Sequence, residues 1–525
     1  MTKKASHPLK ENIRNLKGCL HGGLIKESSE KYGIPEKDIL DFSANLNPFG
    51  TPFDHPEYGL DYTKLAADAL KESVNYPDNR YLELRNAAAK FLNQKNITAE
   101  NIIPGNGSTE IIRLFCQCVL NEGDKVIIPY PTFGEYEIQC RLQNADIVYI
   151  PTESVYDLTE EELSAAKIIF ICNPNNPTAV LRKRSDLLKL AEKCARAKTV
   201  LFMDEAFIEL SNPEESLCDM AAENDYVFVM RSLTKCFALP GIRLGFGVAS
   251  KNIADALNQA RLSWNLSPLQ EKTGAAFLSM PGGVNSDYLQ NSRKMILREA
   301  IYLKDELSKI WGFEPGVVTT NYLLIDISKR TLNSSELAER FARHGILIRD
   351  CISFKGLDTD FIRIAVRTRD ENRRFVQTVS KVFDEWAKEF AENELQNTLA
   401  KHKKGSRQNE RETCEYYPCH FDGQDCTFCY CPFYPCIDER TGGTYVHSTK
   451  RNGKIWSCTD CYIPHMTEVV EKMLDGLMED GDTEGLLKKE WLEIIVPILE
   501  ERDSNKILMC CRKIRTEKIK SADKN

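Results

Sequence analysis

The chain has 525 residues, 42% of them hydrophobic and 28% charged, with a formal net charge of -8 and an isoelectric point near 5.7. That length exceeds what one hydrophobic core fills, roughly 250 to 300 residues, so two or three domains are expected. The mildly acidic balance argues against a nucleic-acid partner. Residues 1–19 lack the apolar core of a signal peptide, and no later run approaches the roughly 18 apolar residues of a membrane span, so a cytoplasmic protein without membrane attachment is expected.

From about residue 80 to 250, short apolar runs alternate with helical patterns. KVIIP (125–129), IVYIP (147–151), KIIFIC (167–172), TVLFMD (199–204), YVFVM (226–230) and GFGVA (245–249) read as strands, and SDLLKLAEKCARA (185–197) reads as a helix. Continuous apolar strands separated by helices predict an α/β domain with a mainly parallel sheet covered on both faces. Ligands then belong at the carboxyl ends of its strands. After a helical stretch near 285–310, NYLLIDI (321–327), GILIR (345–349) and FIRIAV (361–366) predict a smaller α/β lobe.

The expected organisation is one enzyme-like region over 1–390, with a large domain at about 50–285 and a small lobe built from the N-terminal segment and 286–390. A polar, charged stretch over 391–413 reads as a linker. A cysteine-rich module (414–465) and an amphipathic helical tail (466–525) follow.

Several motifs fall at predicted strand ends. GNGST (105–109) precedes the helical EIIRLF, and a helix N-terminus binds phosphate through backbone N–H groups; alone it serves equally well as a helix cap. YPTFGEY (130–136) offers an aromatic face, and NPNNPT (173–178) offers amides in a proline-stiffened loop. DEAF (204–207) puts a carboxylate where burial is costly unless a cation meets it. SLTKCFALPGIR (232–243) then supplies hydroxyls, Lys235 and Arg243. A phosphate binder, a flat aromatic, an amide, a carboxylate, a lysine and an arginine are together what pyridoxal phosphate requires.

On these motifs residues 20–385 resemble the fold-type I pyridoxal-phosphate enzymes, in the aminotransferase class that includes histidinol-phosphate aminotransferases. The resemblance implies that Lys235 carries the cofactor covalently and that Asp204 pairs with its pyridine nitrogen. It also implies that Asn176 donates to the ring 3-oxygen, that Phe133 stacks on the ring, and that Ser108, Thr109, Ser232 and Arg243 hold the phosphate. Tyr76 would reach that phosphate from a partner subunit, which implies a homodimer with shared active sites. Two departures stand out. Phe207 occupies a position where many relatives have a hydroxyl-bearing tyrosine, and Ala179 replaces a glycine and is therefore expected to avoid a positive φ.

HGG (21–23), DFSANLNPFG (41–50), ILIRDC (346–351) and FIRIAVR (361–367) narrow the resemblance to the threonine-phosphate decarboxylases, which make aminopropanol phosphate for the cobalamin nucleotide loop. That likeness implies a small phosphorylated amino acid as substrate. Arg363 would pair with its carboxylate, and Arg349, His21 and Asn45, with Asn176 nearby, would bind the phosphate and neighbouring groups. Arginine suits both anions because its planar fork matches them. The bland alternatives are a salt bridge from Arg349 to Asp350 and a capped turn at His21. Two other readings of the whole region are an aminotransferase of the histidinol-phosphate type and a non-catalytic sensor that binds pyridoxal phosphate and metal.

Nine of the 19 cysteines lie in residues 1–413 and ten in 414–525. Cys414, Cys419, Cys426, Cys429, Cys431, Cys436, Cys458 and Cys461 fall within 48 residues, several spaced by two, as in metal-binding turns. Two four-thiolate zinc sites account for all eight, and an iron–sulfur cluster on four of them fits the spacing equally. Reduced packing thiols are the plain alternative, and Cys510 and Cys511 in the basic tail are left out of the set.

Overall fold

The six apolar runs read as strands form one sheet, joined by a seventh that the sequence hides. In chain order these are β1 (Ile102–Gly105), β2 (Lys125–Tyr130), β3 (Asp146–Pro151), β4 (Ile168–Cys172), β5 (Val200–Asp204), β6 (Val227–Ser232) and β7 (Gly245–Val248). The spatial order is β1-β7-β6-β5-β4-β2-β3, and β7 alone runs against the others. β1 escaped the pattern because it is a four-residue edge strand containing Pro104, and proline is tolerated at an edge, where no neighbour needs its missing N–H.

The computed structural model describes residues 8–14, 16, 18–19, 22–330, 332–403, 414, 416–448 and 453–502. They divide into two compact units, the first Met1–Ser308 with Gly312–Thr378 and the second Lys309–Trp311 with Val379–Asn525. No helix of the described residues is long and apolar enough to cross a membrane.

In the first unit the central strands are apolar on both faces, so alternate residues feed two cores. Ile127, Ile169, Ile171, Leu201, Met203 and Val229 pack into one, and Ile128, Ile168, Phe170, Phe202, Phe228 and Met230 into the other. At about 1.5 to 3 kcal/mol for each large side chain removed from water, these layers dominate the unit's stability. The helix Arg184–Ala197 covers one face through Leu187, Leu190, Ala191 and Cys194, as its spacing predicts. β3 at the other edge alternates exposed and half-buried residues, so coverage on both faces holds for the centre of the sheet and not for this strand.

The smaller lobe is an antiparallel sheet of β8 (Glu314–Pro315), β9 (Tyr322–Asp326), β10 (Arg349–Asp350) and β11 (Phe361–Ala365), in the order β10-β11-β9-β8. The run GILIR is split. Ile346–Leu347 pair in parallel with Leu40–Asp41, while Arg349 and Asp350 join β11. DFSAN is thereby stitched to this lobe, with Phe42 N–H on Leu347 O (2.7 Å) and Ala365 N–H on Phe42 O (2.7 Å).

In the second unit the cysteine-rich segment and the following helices share one core, with Phe428, Ile463, Val470, Met473, Leu474 and Leu499 buried together. A hairpin of β12 (Thr444–Ser448) and β13 (Gly453–Ser457) projects from the segment. The expected linker is corrected here. Residues 391–403 continue the helix Arg369–Lys403, and Leu395 and Leu399, four apart on one face, are buried in this core. Two apolar residues in a polar run make too thin a stripe for composition to reveal. Residues 404–413, Cys510 and Cys511 lie outside the described residues.

Candidate active site

The carboxyl ends of β4, β5 and β6 open on a cavity of about 520 Å³. It is lined by Ser108, Thr109, Phe133, Asn176, Asp204, Ser232, Lys235 and Arg243, and also by Asn45, Arg349 and Arg363. Eleven of the thirteen cofactor and substrate residues expected from the sequence therefore meet at one place. His21 lies outside the described residues, although Gly22 and Gly23 beside it line the cavity.

Lys235 sits in the short helix α3 (Leu233–Cys236) immediately after β6. Desolvation, then the Arg363 and Arg243 guanidiniums, lower its pKa to about 8. A lysine so placed has an appreciable neutral fraction near pH 7 and is a nucleophile for a carbonyl. The turn carrying it is pinned by Asn47, a residue the sequence reading passed over. Its backbone N–H donates to Lys235 O (3.1 Å), and its amide donates to Cys236 O (2.8 Å) and Ser292 Oγ (2.8 Å). Cys236 is fully buried, as expected of a packing residue.

Asp204 ends β5. Its Oδ1 accepts the Ala206 N–H at 2.9 Å and its Oδ2 accepts the Tyr136 hydroxyl at 2.5 Å. Burial raises its pKa to about 6, against the lowering effect of those two hydrogen bonds. Beneath it, Arg231 is fully buried between Glu205 (3.0 Å) and Glu209 (2.6 Å), a charge-paired floor not foreseen from DEAF. Phe207 follows the carboxylate, is buried, and packs edge-on against Tyr322 at 4.9 Å, so it lines the cavity with no donor.

The helix α1 (Ser108–Val119) starts at the cavity with Ser108 and Thr109 in its first turn. Gly107 before it has φ of +81°, and a Cβ there would stand 2.8 Å from Arg243 Nη2. Glycine is thus required for the guanidinium to lie over the helix start. Ser232 Oγ and Thr234 Oγ1 are 3.0 Å apart on the opposite wall. N–H groups of a helix start, four hydroxyls and a guanidinium form a cup that fits a phosphate dianion. With Asp204, Lys235 and the Phe133 ring beside it, the residues present fit pyridoxal phosphate.

Ala179 was expected to avoid a positive φ and does not. Its φ is +58°, it is fully buried, and its N–H donates to Asn175 O at 2.7 Å while its carbonyl accepts the Thr319 hydroxyl. The surrounding hydrogen bonds hold a conformation that costs an alanine about 1 to 2 kcal/mol.

Arg349 and Arg363 are register partners on β10 and β11 and so project from the same face. Arg349 donates to Ser353 Oγ (2.7 Å) and lies over the Phe354 ring (5.2 Å). Asp350 is engaged elsewhere, accepting from Ser334 Oγ (2.6 Å), Ser335 Oγ (2.5 Å) and Ile352 N–H (2.9 Å). Arg363 donates to Ser43 O (2.8 Å) and to Asn176 Oδ1, and its Nε is buried without a partner. Burial, with the neighbouring Arg349 acting in the same direction, lowers its pKa to about 10. Asn45 is buried on the same wall with its carbonyl oxygen unpaired. Tyr76 stands apart from the cavity, 79% exposed and stacked on Trp264 at 4.4 Å.

In the second unit, Cys429 N–H donates to Cys426 O (3.1 Å) and Cys461 N–H to Cys458 O (3.0 Å), closing the two turns at the pairs spaced by two. Burial and then the Cys436 and Cys461 thiols push Cys458 up to about 11, and burial, Cys461, Cys458 and Cys436 raise Cys431, so these four are neighbours. Cys419 and Cys426 both accept from the Gln424 amide, at 3.1 and 3.3 Å. Cys414 is half-buried. Among the described residues no three His, Cys, Asp or Glu side chains are gathered as a metal's ligand set.

The chain is similar to known proteins in sequence and in fold. Residues 37–379 match the family model for aminotransferase class I and II, and residues 406–485 match that for a cysteine-rich small domain. A histidinol-phosphate aminotransferase of Methanococcus maripaludis is 30% identical over 71% of this chain and 97% of its own length. Among solved structures, the histidinol-phosphate aminotransferase of Sinorhizobium meliloti in complex with pyridoxal-5'-phosphate superposes with a TM-score of 0.61 at 19% identity, over 73% of this chain and 99% of that one. The L-threonine-O-3-phosphate decarboxylase of Porphyromonas gingivalis superposes with a TM-score of 0.57 at 22% identity, over 66% and 100%. Matched over most of its length and carrying the cofactor residues in one cavity, the chain belongs to the class I and II aminotransferase family, whose cofactor is pyridoxal phosphate, and ends in a cysteine-rich domain.

Proposed function

We propose that the first unit is a pyridoxal-phosphate-dependent carboxy-lyase that converts L-threonine O-3-phosphate to carbon dioxide and (R)-1-amino-2-propanol O-2-phosphate. The observation that carries this reading is the pair of guanidiniums, Arg349 and Arg363, side by side on adjacent strands and lining the cavity with Lys235. Two neighbouring guanidiniums on one wall of the cavity present two positive charges to whatever enters it. An amino-acid phosphate brings two anions and meets both at once; histidinol phosphate brings one, and in the aminotransferase reading only its co-substrate 2-oxoglutarate brings two.

Pyridoxal phosphate, when bound, supplies the sink for the electron pair released at the substrate Cα. Lys235 Nζ would supply the attachment point, its neutral fraction raised by burial and its cationic neighbours. Arg363 grips the substrate carboxylate, and Arg349 with Ser353 grips its phosphate. Asn45, with an unpaired buried oxygen, accepts a proton donor of the substrate. Phe207 and Phe354 keep the wall between these groups apolar, which favours departure of a charged carboxylate as neutral carbon dioxide.

A second reading, aminotransfer on a histidinol-phosphate-like substrate, is favoured by the 30% identical relative. The test is incubation of the purified protein with threonine phosphate, with gas release and product mass measured together. Carbon dioxide in step with aminopropanol phosphate supports the lyase; amino transfer to 2-oxoglutarate without carbon dioxide overturns it.

We further propose that the active protein is a homodimer with shared sites. Leu70, Val74, Tyr76, Leu262 and Trp264 are all exposed apolar side chains, more than a monomer's surface ordinarily gathers around one aromatic stack. For the second unit we propose that the eight thiols bind zinc or an iron–sulfur cluster, supported by the two closed turns and by the neighbourhood of Cys431, Cys436, Cys458 and Cys461.

A further inference from the structure

Tyr136 is the last residue of YPTFGEY and lies in the first turn of α2 (Glu135–Leu142). It is fully buried. Its ring is stacked on Phe170 at 4.8 Å with an interplanar angle of 10°, and it meets Phe133 edge-on at 5.7 Å. Packed on both sides, the ring has one polar atom, and that atom donates to Asp204 Oδ2 at 2.5 Å. The other carboxylate oxygen takes the Ala206 N–H. Asp204 therefore faces the cavity with both oxygens already held by neutral donors and, among the described residues, with no cation paired to it.

The other titratable groups near this carboxylate are Cys172 at the end of β4, Tyr322 of β9 and the neighbouring Glu205, and none of them is a cation. A buried carboxylate with no cation tends to take up a proton and become a neutral acid. A neutral acid could accept a hydrogen bond from the cofactor ring but would not hold a positive ring nitrogen. A hydroxyl donated to the carboxylate works against that uptake, because a hydrogen bond to the charged form favours it.

We propose that Tyr136 is a positioning residue that keeps Asp204 ionised and so keeps the proton of the Asp204–pyridine pair on the ring nitrogen of bound pyridoxal phosphate. Its phenolic proton stays on Tyr136 throughout; what it sets is which of the two partners holds the shared proton. The inference rests on the cofactor reading above and is independent of whether the reaction is decarboxylation or aminotransfer.

The test uses the intact protein loaded with pyridoxal phosphate labelled with ¹⁵N in the ring, compared with Tyr136→Phe, which keeps the ring and its packing and removes only the hydroxyl. A hydrogen bond to a buried charged group shifts such a proton equilibrium by about ten- to a hundredfold. The ¹⁵N resonance of the resting wild type should sit at the protonated position, and at the same pH that of Tyr136→Phe should move toward the unprotonated position, as the ratio of the two proton placements falls by that factor. An unchanged ¹⁵N position in a variant that still holds the cofactor overturns the proposal. Should Tyr136→Phe bind the cofactor too weakly to observe, the Asp204 carboxyl is followed by ¹³C in the cofactor-free protein. There its pKa should rise in the variant, and no rise overturns the proposal. Failure of the wild type itself to form a lysine-linked chromophore would instead remove the cofactor reading.

Discussion

Replacing Arg363 with methionine should leave the stability of the protein nearly unchanged while destroying its reaction. The guanidinium is 6% exposed, holds only the Ser43 carbonyl and the Asn176 amide oxygen, and leaves Nε buried and unpaired. The fall of its pKa to about 10 corresponds to about 3 kcal/mol against the charged form in the folded protein. Both the folded and unfolded states are charged below pH 10, so this penalty is constant across the neutral range. Losing two charge-assisted hydrogen bonds costs about 1.5 kcal/mol each, so the two effects offset and Arg363→Met should lie within about 1 kcal/mol of the wild type. Urea denaturation of the cofactor-free and substrate-free protein reads this difference. Removing the partner of a buried substrate carboxylate costs about 2 to 5 kcal/mol, so kcat/KM should fall by about 30-fold to several thousandfold. A variant that is less stable than the wild type by more than about 3 kcal/mol and keeps kcat/KM within about threefold would refute the assignment of Arg363 as a preorganised anion site.

Other expectations follow from single residues. Lys235 has a folded pKa lowered from 10.5 to about 8, so its neutral, reactive fraction grows as pH rises. The rate at which cofactor-free protein takes up pyridoxal phosphate should climb with pH and level off above about 8, and Lys235→Ala should lose the absorption band of the lysine-linked cofactor. Ala179→Gly should change stability by less than about 0.5 kcal/mol, because relief at φ +58° offsets the lost methyl and the added chain entropy. Ala179→Val should cost more than about 2 kcal/mol, since a β-branched residue is an outlier there; equal denaturation midpoints for the two would contradict the backbone argument. Anaerobically purified protein should contain zinc or iron by elemental analysis, with visible charge-transfer bands only for iron, and neither metal would remove the proposal for the eight thiols.

The large sheet was legible because its central strands are apolar without interruption, and the residues that line the cavity were legible because they sit in short motifs at or just beyond strand ends and at a helix start. What escaped has physical causes. β1 is a four-residue edge strand with a proline, and GILIR reads as one strand but serves two sheets. Tyr136 was visible only as another aromatic in YPTFGEY, since nothing in a helical first turn announces a hydroxyl 68 positions away from its carboxylate. Asn47 and the Arg231 pairs with Glu205 and Glu209 act through tertiary contacts that periodicity does not encode. The conformation of Ala179 was read from residue preference alone, and the hydrogen bonds around it outweigh that preference.

The central claim is that two neighbouring guanidiniums select a substrate with two anions and that its carboxylate leaves. It is tested most directly by measuring kcat/KM on one preparation for threonine phosphate, by carbon dioxide release, and for histidinol phosphate with 2-oxoglutarate, by glutamate formation. The account predicts turnover of threonine phosphate to carbon dioxide and aminopropanol phosphate at least about a hundredfold more efficient than aminotransfer. Efficient glutamate formation from histidinol phosphate, with no carbon dioxide from threonine phosphate, would contradict it.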